Sequence, residues 1–362
     1  PLNFVKFAFP WGMKDTPLED FKGPRKWQEK ILREMTIHIA RNGTRDLPEM
    51  FRMAVASGRG IGKSALVAWI ILWMLSTRLG ATIIVTANTE QQLRSRTWAE
   101  LGKWMTLSIN SHWFHKTATT VKPAPWFQEA LERDLKIDTG YYYAQAQLWS
   151  EENPDAFAGI HSSYGVCLIM DEASGIPSPI YSVSEGFFSE PTSNRYWFTF
   201  SNPRRNTGPF YDSFNSKKRF WQNVQIDSRT VEGTDQKLFQ SMIEQYGEDS
   251  TVARVGVMGE FPSGDDDTVI PLDLVRGAVE REVTLTANEP IIWGLDVARF
   301  GGDNSALCVR QGNTVLEITS FASMDLMQLC GVVKNRFDDA TVMERPQEIL
   351  VDVIGLGAGV VD

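Results

Sequence analysis

Between Ser57 and Ser64 the chain reads S-G-R-G-I-G-K-S, placing glycines at 58, 60 and 62 before a lysine and a hydroxyl residue. These residue types at this spacing suit a phosphate. Glycines let the backbone curl until several N–H groups face one anion. Lys63 then reaches the β- and γ-phosphates of ATP, and the Ser64 hydroxyl is available to Mg²⁺. The spacing G-x-x-x-x-G-K-S asks for glycine where this chain has Ser57, and the stretch alone also reads as a glycine turn ahead of a buried helix. Tyr164 to Ala173, Y-G-V-C-L-I-M-D-E-A, decides between the two. Val166 to Met170 form an apolar strand that delivers Asp171 and Glu172 at its carboxyl end, where an α/β sheet presents ligands. Asp171 suits Mg²⁺, usually through water, and Glu172 suits orienting and deprotonating an attacking water. The nucleotide-binding set is therefore Ser57, Gly58, Arg59, Gly60, Ile61, Gly62, Lys63 and Ser64, with Ser64 and Asp171 at the metal and Glu172 catalytic.

The flanking segments must position these groups. Met53 to Ala56 is a short apolar strand, and Ala65 to Leu75 is an apolar helix behind the loop. The helix N-terminus adds partial positive charge at the anion. Ala81 to Ala87 (A-T-I-I-V-T-A) reads as a buried parallel strand, and Asn88-Thr89-Glu90 caps a helix reaching about Met105. A further strand, Tyr196 to Phe200, runs into Ser201-Asn202-Pro203. Asn202 can sense the γ-phosphate there, although Asn-Pro is also simply a turn. Upstream, Trp27, Ile31, Met35 and His38 share one face of an amphipathic helix. Gln28 on that helix offers both a donor and an acceptor to an adenine edge. Strand alternating with helix gives an α/β fold, here a P-loop (RecA/ASCE-like) parallel sheet with flanking helices. It spans residues 1–262, with an aromatic N-terminal arm over 1–24 and a small lid at about 205–262. Trp98, Trp104, Trp113, Trp126 and Trp149 are expected mostly in the core.

Ser263-Gly264-Asp265-Asp266-Asp267 reads as the start of a solvated linker over 263–288. Beyond it, strands at Ile291 to Ala298, Ser305 to Arg310 and Thr314 to Phe321, a helix from Asp325 to Phe337 and a strand at Glu348 to Val353 follow the opening order of an RNase H-like fold. The Gln311-Gly312-Asn313 stretch is a hairpin signal. In that topology the fourth strand lies beside the first, so Asp296 and Asp352 come together. A carboxylate in a central strand is costly without a cation, and a converging pair suits Mg²⁺ or Mn²⁺ acting on a phosphodiester.

Composition sets outer bounds. With 362 residues, 43% hydrophobic and 22% charged, the chain can build two cored domains. The net charge of −9 gives no global basic field for nucleic acid. DNA contact would fall to local patches: Arg94 with Arg96, Arg204 with Arg205, or Lys217-Lys218-Arg219. Three scattered cysteines make no disulfide framework. The longest apolar run, Ala65 to Leu75, is 11 residues, short of the ~20 needed to cross a bilayer, so no membrane partner is expected.

An ATPase followed by an RNase H-like nuclease resembles the large subunit of tailed-bacteriophage terminases, the DNA-packaging motors. The resemblance rests on Gln28, the variant loop Ser57 to Ser64, Asp171-Glu172, Ser201-Asn202-Pro203 with Phe210-Tyr211, and Asp296 with Asp352. It implies ATP-driven translocation of double-stranded DNA into a procapsid, with metal-dependent cutting of concatemeric DNA. It implies as partners a small terminase subunit, the portal and a homo-oligomeric ring, working in the host cytoplasm. For Arg59 it implies an arginine finger supplied in cis, or a group that positions the nucleotide. A third acidic nuclease ligand is expected well beyond Asp352, and neither Asp303 nor Asp362 holds that place, so residues 289–362 are expected to be an incomplete nuclease domain. The alternatives are a RecA-like helicase or translocase working outside a capsid, and a P-loop module that binds nucleotide without hydrolysis.

Overall fold

The structure, a computed structural model, describes residues 1–43, 45, 48–262, 275, 277–279, 281, 283, 289–298, 304–322, 324–352 and 360. Two compact units divide the chain, Pro1–Leu274 and Val275–Asp362. The expected linker, 263–288, lies almost wholly outside the described residues.

In the first unit the strands are β1 (Phe51–Ser57), β2 (Thr82–Thr86), β3 (Phe114–Lys116), β4 (Thr120–Pro123), β5 (Tyr143–Ala146), β6 (Val166–Asp171), β7 (Arg195–Ser201) and β8 (Gln222–Ile226). Their order in the sheet is β3-β4-β5-β2-β6-β7-β1-β8. From β5 to β8 every pair is parallel. The sheet is nonetheless mixed, a correction to the all-parallel expectation, because β3 and β4 pair antiparallel at one edge. Those short strands join through a tight turn, which an antiparallel ladder permits and a parallel one does not. A second correction concerns the lid. Within 205–262, β8 pairs with β1 as a main-sheet strand. Its sequence, Q-N-V-Q-I, is buried only at Ile226, so it carries no apolar run by which to recognise it.

Helix α1 is Leu2–Ala8, α2 is Lys26–Asn42 and α3 is Lys63–Thr77. Every residue of α3 from Leu66 to Leu75 is buried, as a helix apolar all round must be. The N-terminal arm packs over it. Phe9 meets Trp104 at 5.1 Å, Trp11 meets Trp69 at 5.7 Å, and Trp69 meets Trp104 edge-on at 4.9 Å. Trp98 and Trp104 are core residues, but Trp126 is 52% exposed and stacks on His112.

The helix capped by Thr89, whose Oγ1 accepts from the Gln92 N–H at 3.2 Å, does not run evenly. A π-helical stretch, Leu93–Trp98, interrupts it before Ala99–Leu107 resumes as α-helix. Such bulges recur at functional sites because the extra residue re-aims side chains.

In the second unit β9 (Ile291–Asp296), β10 (Ser305–Gln311), β11 (Thr314–Phe321) and β12 (Glu348–Val351) take the order β11-β10-β9-β12. β10 is antiparallel to both β9 and β11, while β12 runs parallel to β9. The helix Leu326–Asp339 covers one face, packing Leu329 and Val333 against Trp293, Leu295 and Leu307. Among the described residues of the chain, no helix is long and apolar enough to cross a membrane.

Candidate active site

β1 ends at Ser57, and α3 begins at Lys63 behind Gly62, whose φ of +88° is left-handed. The loop between them is held from outside by the 226–258 region. Gly58 N–H donates to Ile226 O at 3.1 Å, and Arg59 N–H to Gly256 O at 2.8 Å. Ser228 Oγ donates to Arg59 O at 2.8 Å. The fit at Gly58 leaves no room for a side chain, since a Cβ there would stand 2.2 Å from Val257 O and 2.3 Å from Ser228 Oγ. By contrast, the N–H groups of Gly60, Ile61 and Gly62 meet no acceptor among the described residues. They adjoin the first turn of α3, where helical N–H groups have no intrahelical partner either. Free N–H groups curled ahead of a helix N-terminus make an anion cradle.

Ser57 replaces the expected glycine with a buried hydroxyl that has a role. Lys63 Nζ donates to Ser57 Oγ at 2.8 Å and to Gly58 O at 3.3 Å. Gln28 braces the loop from the other side. Its Nε2 donates to Gly62 O at 2.9 Å, and its Oε1 accepts the Arg25 N–H at 2.9 Å. Only one N–H and one carbonyl lone pair of that 2%-exposed side chain remain for an adenine. Trp27 Nε1 adds a bond to Ile61 O at 3.1 Å.

β7 separates β6 from β1, and the register sets Asp171 level with Phe200 and Phe200 level with Val55. The acidic turn and the phosphate loop therefore leave the sheet at the same end, one strand apart. Asp171 is fixed by Thr97 Oγ1, which donates to Oδ2 at 2.6 Å, and by the Glu172 N–H on Oδ1 at 3.0 Å. Thr97 sits in the π-helical stretch, so the bulge presents its hydroxyl to the acidic turn. Glu172 adopts φ +54°, a left-handed conformation rare for a residue with a Cβ. Asn88 Nδ2 holds its carbonyl at 3.0 Å. Such conformations persist where the surroundings over-determine them, as at functional sites.

Asn202 leaves β7 between the two loops and joins them. Its Nδ2 donates to Ser57 O at 2.6 Å, and its carbonyl accepts from Ser174 Oγ at 3.1 Å and Ser201 Oγ at 2.8 Å.

The result is a cleft of about 660 Å³ lined by Lys63 and Ser64, by Asp171 and Glu172, by Asn202, and by Arg59, Arg96 and Arg204 among others. Burial pulls the Lys63 ammonium below its ordinary value, Asp171 and Glu172 pull it back up, and Arg204 and Arg59 push it down. Arg96 Nη1 stands 4.0 Å from Glu172 Oε1. A cleft with this many cations beside two carboxylates can hold a polyphosphate together with a metal ion. Ser64 and Asp171 offer one hydroxyl and one carboxylate, which fits Mg²⁺ because that ion takes one or two protein oxygens beside phosphates and waters. Arg96, Arg204, Thr97 and Asn88 escaped the sequence reading of this site. The arginines carried a signal, but only as surface patches. Thr97 carried none, and Asn88 only the signal of a helix cap.

In the second unit Val351 pairs with Leu295, and the Asp352 N–H donates to Leu295 O at 3.1 Å. Asp296 and Asp352 thus stand at neighbouring strand ends, both exposed. Among the described residues there is no cluster of three acidic, histidine or cysteine side chains able to hold a metal. Asp303, Gly355 to Gly359 and Asp362 lie outside the described residues.

No family model matches the chain. Over 270 residues it is 26% identical to the probable terminase large subunit of Enterobacteria phage P7, a match covering 70% of this chain and 51% of that protein. The chain therefore spans about half the length of the curated relative it matches. The large terminase of bacteriophage HK97 superposes with a TM-score of 0.53 at 12% identity, over 94% of this chain and 77% of that one, a likeness of fold. A large terminase from a thermophilic bacteriophage gives a TM-score of 0.45 at 12% identity, over 93% and 79%. By sequence and by fold, the chain resembles the large subunit of phage terminases.

Proposed function

We propose that this chain hydrolyses ATP to drive double-stranded DNA into a viral procapsid. The observation that carries the reading is the meeting of Lys63, Ser64, Asp171 and Glu172 in one cleft, at the end of the sheet where β1 and β6 both terminate. The N–H groups of 60–62 and Lys63 Nζ bind the β- and γ-phosphates. Glu172 orients a water against the terminal phosphate and takes its proton. Ser64 and Asp171 hold Mg²⁺, which neutralises phosphate charge when bound. Asn202, bonded to both loops, is the element through which loss of the terminal phosphate reaches β7.

The partners in this reading are DNA, a small terminase subunit and a portal, with several copies working as a ring. The second unit, with Asp296 beside Asp352, belongs to an RNase H-like nuclease that cuts concatemeric DNA. Two exposed carboxylates on adjacent strand ends support it, since a divalent metal suits that pair. The test is phosphate release from ATP by the purified chain with and without linear duplex DNA. Turnover that DNA accelerates is expected, and no turnover under either condition would refute the reading.

A further inference from the structure

Four cations among the described residues line the cleft; Lys63 and Arg96 have a hydrogen-bond or ion-pair partner there, and the side chains of Arg59 and Arg204 have none. Lys63 Nζ is bonded to Ser57 Oγ and Gly58 O. Arg96 faces Glu172. Arg59 lies against the Arg254–Met258 turn, with its Nε and Cζ 3.8 and 4.0 Å from the place a Cβ on Gly256 would occupy. Arg204 has no side-chain hydrogen bond or ion pair among the described residues. Its backbone, however, is closely tethered. The Arg204 N–H donates to Asn202 O at 2.9 Å. Asn202 is itself bonded to Ser57 at the head of the phosphate loop and to Ser174 just beyond Glu172. The neighbouring Arg205 does not line the cleft.

We propose that Arg204 is a catalytic residue, whose guanidinium stabilises the charge that develops on the terminal phosphate of ATP bound in the same chain. The inference rests on the ATP-hydrolase reading above and names a residue that reading leaves unused. In the step concerned, the water oxygen bonds to the γ-phosphorus as the bond from phosphorus to the ADP oxygen breaks, and the water proton passes to Glu172. Charge spreads over the equatorial phosphate oxygens, where a positioned arginine acts most strongly. An unpaired guanidinium on a tethered turn needs no ion pair broken before it acts.

The experiment compares ATP turnover and ADP affinity for the wild-type chain and for Arg204→Ala, Arg204→Lys, Arg205→Ala and Arg59→Ala. Arg204→Ala is expected to lose on the order of 10³-fold in kcat, while ADP affinity stays within about threefold. Arg204→Lys should recover part of the loss, Arg205→Ala should match wild type, and Arg59→Ala should lose less than Arg204→Ala. Turnover of Arg204→Ala within about threefold of wild type would overturn the assignment. So would a matching collapse of its ADP binding, which would mark a structural role. If the wild-type chain binds ADP yet hydrolyses no ATP, the hydrolase reading fails first and takes this inference with it.

Discussion

Asn202 Nδ2 donates to the backbone carbonyl of Ser57 across 2.6 Å, tying the end of β7 to the first residue of the phosphate loop. Ser57 in turn accepts the Lys63 ammonium at its hydroxyl. A single line of hydrogen bonds thus runs from the strand beside the acidic pair to the lysine of the cradle. Asn202→Ala leaves the Ser57 carbonyl unpaired in a buried place, at a cost of about 1–3 kcal/mol. A lowered urea midpoint is expected, together with slower ATP turnover. A variant as stable and as active as wild type would show that the bond does not transmit anything.

Lys63→Ala and Glu172→Gln should separate binding from chemistry. The first removes the charge that meets the phosphates, and the second keeps the shape but removes the base. Lys63→Ala should lose both ATP affinity and turnover. Glu172→Gln should bind ATP and fail to hydrolyse it. Fluorescent-nucleotide titration beside phosphate release distinguishes them, and undiminished turnover in both would remove the site from this cleft.

Gly58 is required by close approach rather than by backbone conformation. A methyl group there meets Val257 O at 2.2 Å and Ser228 Oγ at 2.3 Å, and backbone cannot swing aside as a side-chain tip can. Gly58→Ala should destabilise by about 1–3 kcal/mol. Gly186→Ala is the control, since nothing stands within 4 Å of its Cβ position. Equal urea midpoints for the two variants would contradict the packing.

In the second unit Arg336 and Thr319 donate to Glu317 and hold its carboxyl well below its ordinary value of 4.5, at about 2. Arg336 Nη2 reaches Glu317 Oε2 at 2.5 Å. A depressed carboxyl contributes stability that is present above the unfolded-state value and is lost as pH falls through the folded-state value. The wild-type advantage over Glu317→Gln in thermal unfolding should be full above about pH 4.5 and narrow towards about pH 2. A gap that stays constant or widens on acidification would show that the pair does not stabilise this unit.

Much of the fold was legible because its signals are local. Val166 to Met170 reads as a strand from five consecutive apolar residues, and the structure extends it by one residue to Asp171. The Gly312-Asn313 turn joins β10 to β11 where the sequence places a hairpin, with Gly312 at φ +56°. What the sequence missed either lacked a local signal or depended on a distant contact. β8 has one buried residue and two glutamines, so nothing in its pattern competes with a loop reading. The π-helical stretch at Leu93–Trp98 carries a contact, Thr97 to Asp171, between residues far apart in the chain.

By itself the amino-acid sequence determined the chemistry on offer. Glycines, a lysine and a serine at a strand–helix turn, and an acidic pair ending an apolar strand, follow from residue types acting over a few neighbours. Only the tertiary structure decided which distant side chains complete the cleft. Strand order β2-β6-β7-β1 puts Asn202 between the two loops, while the turn after it sets Arg204, and not Arg205, at the cleft, and Gln28 engages Gly62. Those relationships depend on crossovers and on single hydrogen bonds between remote segments, and such contacts leave no periodicity in the chain that makes them.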